Sequence, residues 1–291
     1  MNKRILFAIL IAVLLGSCNS PELKQKPSVV VSILPQKYFV ERIADTIVNV
    51  EVMVPPGASP ATYEPTARQL QMFSKAKLYF SLGLLNFEKT ILKKVADQNS
   101  SVRVIYHAPN LNLIEGRCDH SHERHSHAHV YDPHVWLSPA EVSAMKADIL
   151  AALSEQFPEY SSEFANNASK FQKDIDSLSS YISHSLSSHK GAKIFIFHPA
   201  LTYFVRDYNL VQVSLEEEGK SPSAKHLKKV MEQARNEGAK TIFIQKEFDV
   251  NTAKTAAADI GGEIVVINPL EANWLSNMYS ITDEVKKALE Q

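Results

Sequence analysis

The sequence predicts an α/β protein of two lobes, each a mainly parallel four-stranded sheet with helices, joined by one long rigid helix. Three observations carry that prediction. The chain has 291 residues, enough for two lobes that each fold on a core of their own. Short β-branched runs alternate with segments of helical period, the pattern of a parallel sheet wrapped by helices. The alternation occurs twice, on either side of a long helical stretch.

The first series starts at Ser28 and reads SVVVSI, QKYFVERIAD, TIVNVEVMV, TARQLQMFSKA, KLYFSLG, FEKTILKKVAD and SVRVI. Its odd members are predicted strands and its even members predicted helices. The second starts at Lys193 and reads KIFIF, ALTYFVRDY, VQVSL, SAKHLKKVMEQARNEG, TIFIQ, VNTAKTAAADIGG and EIVVI, followed by a last helix through ITDEVKKALE. Between the series, apolar residues recur at helical spacing: Val142, Met145, Ile149 and Leu153, then Phe164, Phe171, Ile175, Leu178 and Ile182, with one break at Pro158. Proline inside such a pattern ends one helix or starts the next. The boundaries expected are an N-terminal lobe over 28–157, a connecting helix within 158–188 and a C-terminal lobe over 189–291. A connecting helix is stiff where a loop would be a hinge.

The first eighteen residues, MNKRILFAILIAVLLGSC, combine a basic start at Lys3 and Arg4 with an apolar run from Ile5 to Leu15. A run of that length is too short to span a bilayer, which needs about twenty residues. The ending Leu15, Gly16, Ser17, Cys18 resembles the lipobox of bacterial lipoproteins, so residues 1–17 are expected to be a signal peptide and Cys18 a lipidation site. The alternative is an ordinary cleaved signal with a chance cysteine. Residues 18–27, polar and flanked by prolines, read as a tether. The expected location is outside the cytoplasm, anchored to a membrane and facing the periplasm or the cell exterior.

Lys and Arg number 31 against 32 Asp and Glu, and loss of Lys3 and Arg4 leaves 29 − 32, about −3. No basic patch points to nucleic acid. With Cys18 acylated, Cys118 is the one thiol left and no internal disulfide forms.

In open α/β sheets ligands bind beyond the carboxyl ends of the strands. That rule selects the loop PPGASPATYEPT, the segment ending in DPHVW, His198 after KIFIF, Gln245 to Glu247 after TIFI, and Asn268 after EIVVI. The stretch CDHSHERHSHAHVYDPHVWLSP puts His120, His122, His125, His127, His129 and His134 close together. His134 is the one with a rigid setting: Pro133 stiffens its neighbour, Trp136 and Leu137 can anchor the turn, and Ser138-Pro139 has the form of an N-cap with proline at the first helical position. Position alone leaves it either structural or a ligand. His198 likewise reads as a ligand or as a buried histidine donating to a carbonyl. The segment from His120 to His129 has too little apolar content to bury anything. It reads as a loose collector of transition ions, or as a solvated loop, with Cys118 beside it either a thiolate donor or a free thiol.

Taken together, Cys18, PPGASPATYEPT, the histidine-rich loop over 118–130 ending in DPHVWLSP, HPALTYFVRDYNL, EEEGKSPS and the late INPL resemble the solute-binding lipoproteins of zinc and manganese ABC importers, most closely the zinc type. The resemblance implies two lobes joined by one long helix and an ion in the cleft between them. Its cargo would be Zn2+, with Mn2+ the second candidate, its partner an ABC permease, and its action binding rather than catalysis; a monomer is expected. His134 matches the family's second histidine ligand and His198 its third ligand position.

Two positions depart from the family. Ala61 stands where PHxYEPT has histidine, and Asn268 where aspartate is common. Zinc takes four ligands, or three plus water, so the pair needs a further donor. The expected metal set is His134 and His198 with Glu247, ahead of Gln245, or Glu64 from YEPT, or a histidine of the loop; Asn268 offers a weak neutral oxygen. The rival readings are a manganese, iron or metal-chelate receptor of the same fold, a metal-dependent adhesin with a degenerate site, and a zinc hydrolase, against which stands the lack of HExxH.

Overall fold

The computed structural model describes residues 26–97, 101–116, 131–217, 222–248 and 250–291. The predicted signal peptide, Cys18, Cys118 and the histidines from His120 to His129 lie outside the described residues.

Two parallel four-stranded sheets form, as the alternating series predicts. Strands β1 (Ser28–Val31), β2 (Asn49–Val52), β3 (Leu78–Ser81) and β4 (Arg103–Tyr106) pair in the order β2-β1-β3-β4. Strands β5 (Lys193–Ile196), β6 (Val211–Ser214), β7 (Thr241–Gln245) and β8 (Glu263–Ile267) repeat that order as β6-β5-β7-β8. Central strands such as LYFS and TIFIQ are buried along their whole length, because helices cover both faces of a parallel sheet.

Helices α1 (Leu34–Ala44), α2 (Ala67–Ser74) and α3 (Asn86–Asp97) connect the first sheet, and α6 (Thr202–Asp207), α7 (Ala224–Asn236) and α8 (Val250–Asp259) the second. Between the sheets run α4 (Pro139–Gln156) and α5 (Ser161–Ser185), separated by a single 3-10 turn at Pro158–Tyr160. The break falls where Pro158 lacks the N–H that an uninterrupted helix would need. The last helix, α9 (Trp274–Leu289), starts well before the predicted ITDEVKKALE. Asn273 caps it by accepting from the N–H of Ser276, and Trp274 is fully buried.

Helix α5 alone does not hold the lobes together. Phe39 of α1, Phe171 of α5 and Trp274 of α9 form one aromatic cluster, with ring centres 5.9 Å apart for Phe39 and Phe171 and 5.2 Å for Phe39 and Trp274. Edge-on and stacked pairs of this kind add about 0.5–1.5 kcal/mol each beyond their burial. One apolar core therefore runs from the first sheet through α4 and α5 into α9, and a second, smaller one fills the far side of the C-terminal sheet.

Each sheet changes winding direction beside its first strand, where α/β folds leave a crevice. In the N-terminal lobe that crevice is closed by side chains. The carboxylate of Glu88, 1% exposed, accepts from Ser32 Oγ and from the N–H groups of Leu82, Leu84 and Leu85. Gln36 accepts from the N–H of Ser32 and donates to the carbonyl of Phe80. In the C-terminal lobe the same place holds His198.

Candidate functional site

His134 sits on a short 3-10 entry into α4. The turn Val135–Leu137 is buried, and the Trp136 indole donates to the carbonyl of Pro269 at 2.8 Å while the Trp274 indole donates to the carbonyl of Trp136 at 2.6 Å. Ser138 caps α4 by accepting from the N–H of Glu141. The backbone carrying the ring is thus pinned on both lobes, as the DPHVWLSP pattern leads one to expect.

His198 follows β5. Gln245, at the end of β7 and 2% exposed, donates through Nε2 to the His198 carbonyl at 2.5 Å and accepts from its N–H at 3.4 Å. Gln245 therefore clamps the His198 backbone, a different role from the ligand role weighed for it in the sequence. Phe248 stacks on the His198 ring with centres 5.1 Å apart.

The two imidazoles stand together, their centres 5.2 Å apart. An imidazole bound through Nε2, at a Zn–N distance of about 2.0–2.1 Å, places its ring centre about 3.2 Å from the ion, and a tetrahedral angle between two such rings separates their centres by about 5.2 Å. The spacing fits a shared ion.

Each ring also has a carboxylate behind it. His134 Nδ1 is 2.9 Å from Asp132 Oδ1, and His198 Nδ1 bonds Glu216 Oε2. A carboxylate is an acceptor, so each Nδ1 carries the hydrogen and each Nε2 keeps the lone pair a metal needs. Burial pushes the Asp132 carboxyl up, but the neighbouring His134 ring and N–H, with a hydroxyl bond from Thr202, outweigh it and hold the group below the usual carboxylate value. Asp132 and Glu216 also bring two negative charges up behind the rings.

The remaining sequence candidates among the described residues are not gathered round the pair. Among the described residues, no three His, Cys, Asp or Glu side chains are grouped so that they could hold a metal ion. Ala61 and Glu64 are exposed on the loop before α2. Glu247 is half-buried, beyond the end of β7. The Asn268 side chain accepts from the N–H of Leu270 and donates to Glu271, closing the turn after β8. A cavity of about 180 Å3 opens between Ala192–Phe195 and the end of α9, and none of the candidate residues lines it.

Asp132, Glu216 and Thr202 were not among the residues singled out in the sequence. Asp132 stands two residues before His134 within the quoted DPH, and Glu216 follows the strand VQVSL at the sheet end where ligand-supporting groups are expected.

Comparison with known proteins finds one family and several solved structures of the same fold. The family model described as "Zinc-uptake complex component A periplasmic" matches residues 29–288. The zinc-binding lipoprotein AdcA of Streptococcus pneumoniae (strain ATCC BAA-255 / R6) is 29% identical over 295 aligned residues, which cover 98% of this chain and 57% of AdcA. The chain thus spans little more than half the length of that relative. A crystal structure of ZnuA superposes with a TM-score of 0.83 at 32% identity, covering 91% of this chain and 100% of the other. A zinc-bound ZnuA deletion mutant superposes with a TM-score of 0.82, also at 32% identity, covering 91% of this chain and 98% of the other.

Proposed function

We propose a function from one established premise: this chain belongs to the family of periplasmic zinc-uptake complex component A proteins. The chain captures Zn2+ outside the cytoplasm and hands it to the membrane permease of an ABC importer. The ion is cargo, bound and released unchanged, and the protein performs no catalysis. Cys18 carries the lipid that tethers the protein, which acts as a monomer, and His120 to His129 collect ions.

The observation that supports this reading is the convergence of His134 and His198 from the two lobes, 5.2 Å centre to centre. With each Nδ1 held by a carboxylate, both rings present a lone pair without rearranging. A further donor completes the shell on loading: Glu247, Glu64, the Asn268 carbonyl oxygen, or a histidine of the loop over 118–130. Two nitrogen donors favour Zn2+ over Mn2+ or another hard ion.

The experiment is a zinc titration at neutral pH of protein lacking residues 117–130, with and without His134→Ala. Glu115 and Tyr131 pair in an antiparallel bridge, so the deletion joins neighbouring ends. The reading requires stoichiometric binding that His134→Ala abolishes. A second reading, a degenerate site on an adhesin, is favoured by the missing third grouped side chain and by Ala61. It requires that the purified protein carry no metal and that His134→Ala change nothing.

A further inference from the structure

We propose that Thr202 is a positioning residue for zinc capture, acting from the C-terminal lobe through Asp132 to fix the direction and tautomer of the His134 ring. The proposal rests on the reading that His134 is a zinc ligand.

Thr202 opens α6, four residues after His198. Its Oγ1 donates to Asp132 Oδ2 at 2.8 Å, across a sequence separation of 70 residues. The carbonyl of Pro199 lies 3.1 Å from the same hydroxyl. A hydroxyl has one hydrogen, and the carboxylate is both the nearer and the stronger acceptor. Gln212 Nε2 donates to Thr202 Oγ1 at 3.1 Å, and Gln212 Oε1 accepts from the N–H of Leu201 at 2.8 Å. The hydroxyl is therefore held by β6 on one side and aimed at Asp132 on the other.

Asp132 has two oxygens with different duties. Oδ1 accepts from the His134 N–H at 2.8 Å and from the ring Nδ1 at 2.9 Å, while Oδ2 takes the Thr202 hydroxyl. A carboxylate free at Oδ2 turns about its last bond and exchanges its oxygens. Anchored there, it presents Oδ1 to the ring in one direction and keeps the hydrogen on Nδ1. The neighbouring residue holds the same segment by its backbone: Tyr203 donates from its hydroxyl to the Asp132 carbonyl at 2.7 Å and accepts from the N–H of Ile114 at 3.2 Å.

The consequence is a crossed arrangement. The lobe that supplies His198 also orients the histidine of the other lobe. Glu216 and Gln245 orient His198 from within its own lobe, which makes Thr202 the link that makes the pair a unit.

The test uses the full chain with Thr202→Val, which keeps the shape and removes the hydroxyl, and Thr202→Ser, which restores it. Two quantities are read: zinc affinity by competition with a chelating dye, and the tautomer of the metal-free His134 ring by long-range 1H–15N NMR, assigned by comparison with His134→Ala. Removing a group that supports a ligand's partner weakens metal binding by about threefold to tenfold, below the range for the direct partner itself. The expected result is that loss for Thr202→Val, with the His134 ring leaving the single Nδ1–H form, and recovery of both in Thr202→Ser. Unchanged affinity in Thr202→Val, or a loss without any change at the His134 ring, overturns the proposal. Wild-type protein that binds zinc while His134→Ala binds equally well sinks the premise instead, and the proposal with it.

Discussion

Glu216, at the end of β6, holds Nδ1 of His198, the residue that follows β5 in the neighbouring strand of the same sheet. The bond leaves His198 Nε2 as the free donor and places a buried negative charge behind it. Glu216→Gln keeps the size but turns the charge off and offers an N–H in place of one oxygen. Zinc affinity is expected to fall by about tenfold to a hundredfold while the fold persists. Isothermal titration beside circular dichroism checks both halves of that expectation.

The lobe junction predicts a different kind of loss. Trp274 is fully buried between α1, α5 and the His134 turn, and its indole holds the carbonyl of Trp136. Trp274→Ala removes a large, fully buried side chain, at a cost of about 3–5 kcal/mol. Thermal unfolding should begin at clearly lower temperature. Zinc affinity should fall as well, because the turn that carries His134 loses its anchor.

Glu88 is expected to matter for stability alone. Its two oxygens face three backbone N–H groups and the Ser32 hydroxyl. In Glu88→Gln one oxygen becomes a donor facing donors, and hydrogen bonds to a charged group are worth about 1.5–3 kcal/mol each. Denaturant unfolding should show a loss of at least that order, with zinc stoichiometry intact in the protein that remains folded.

Much of this was legible in the sequence. The two strand series, the break at Pro158 and the cap at Ser138 follow from local pattern, because β-branched runs, a missing N–H and a hydroxyl at an N-cap act within a few residues. The stiff turn that carries His134 and the strand end that carries His198 were legible too, while the ligand role of the two rings is the proposal made above. The start of α9 was missed although its signal is local: Trp274, Leu275, Met278 and Tyr279 recur at helical spacing behind the capping Asn273, interleaved with serine and asparagine that read as a loop. Asp132–Thr202 and His198–Glu216 were missed for a different reason. Their partners are 70 and 18 residues apart, and nothing in a single sequence couples them. The further donor is still a proposal, since Glu64 and Asn268 sit in their own loops and Ala61 supplies none.

At high pH the fold should weaken through two tyrosines. Burial pushes the Tyr203 hydroxyl up to about 12, and burial does the same for Tyr208, also to about 12. An unfolded tyrosine ionises near pH 10, so between about pH 10 and 12 the unfolded chain gives up protons that the folded chain keeps. The stability these groups contribute is fully present below about pH 10 and is lost as pH rises toward 12. Denaturation midpoints measured across that range should fall for the wild type, and less steeply for Tyr203→Phe.

The most direct measurement is X-ray absorption at the zinc edge on protein lacking residues 117–130 and loaded with one equivalent of Zn2+. The account predicts two imidazole nitrogens at about 2.0–2.1 Å, with one lost in His134→Ala and one in His198→Ala. A bound ion whose spectrum in either variant is unchanged from that of the wild type, or no bound ion at all, would contradict it.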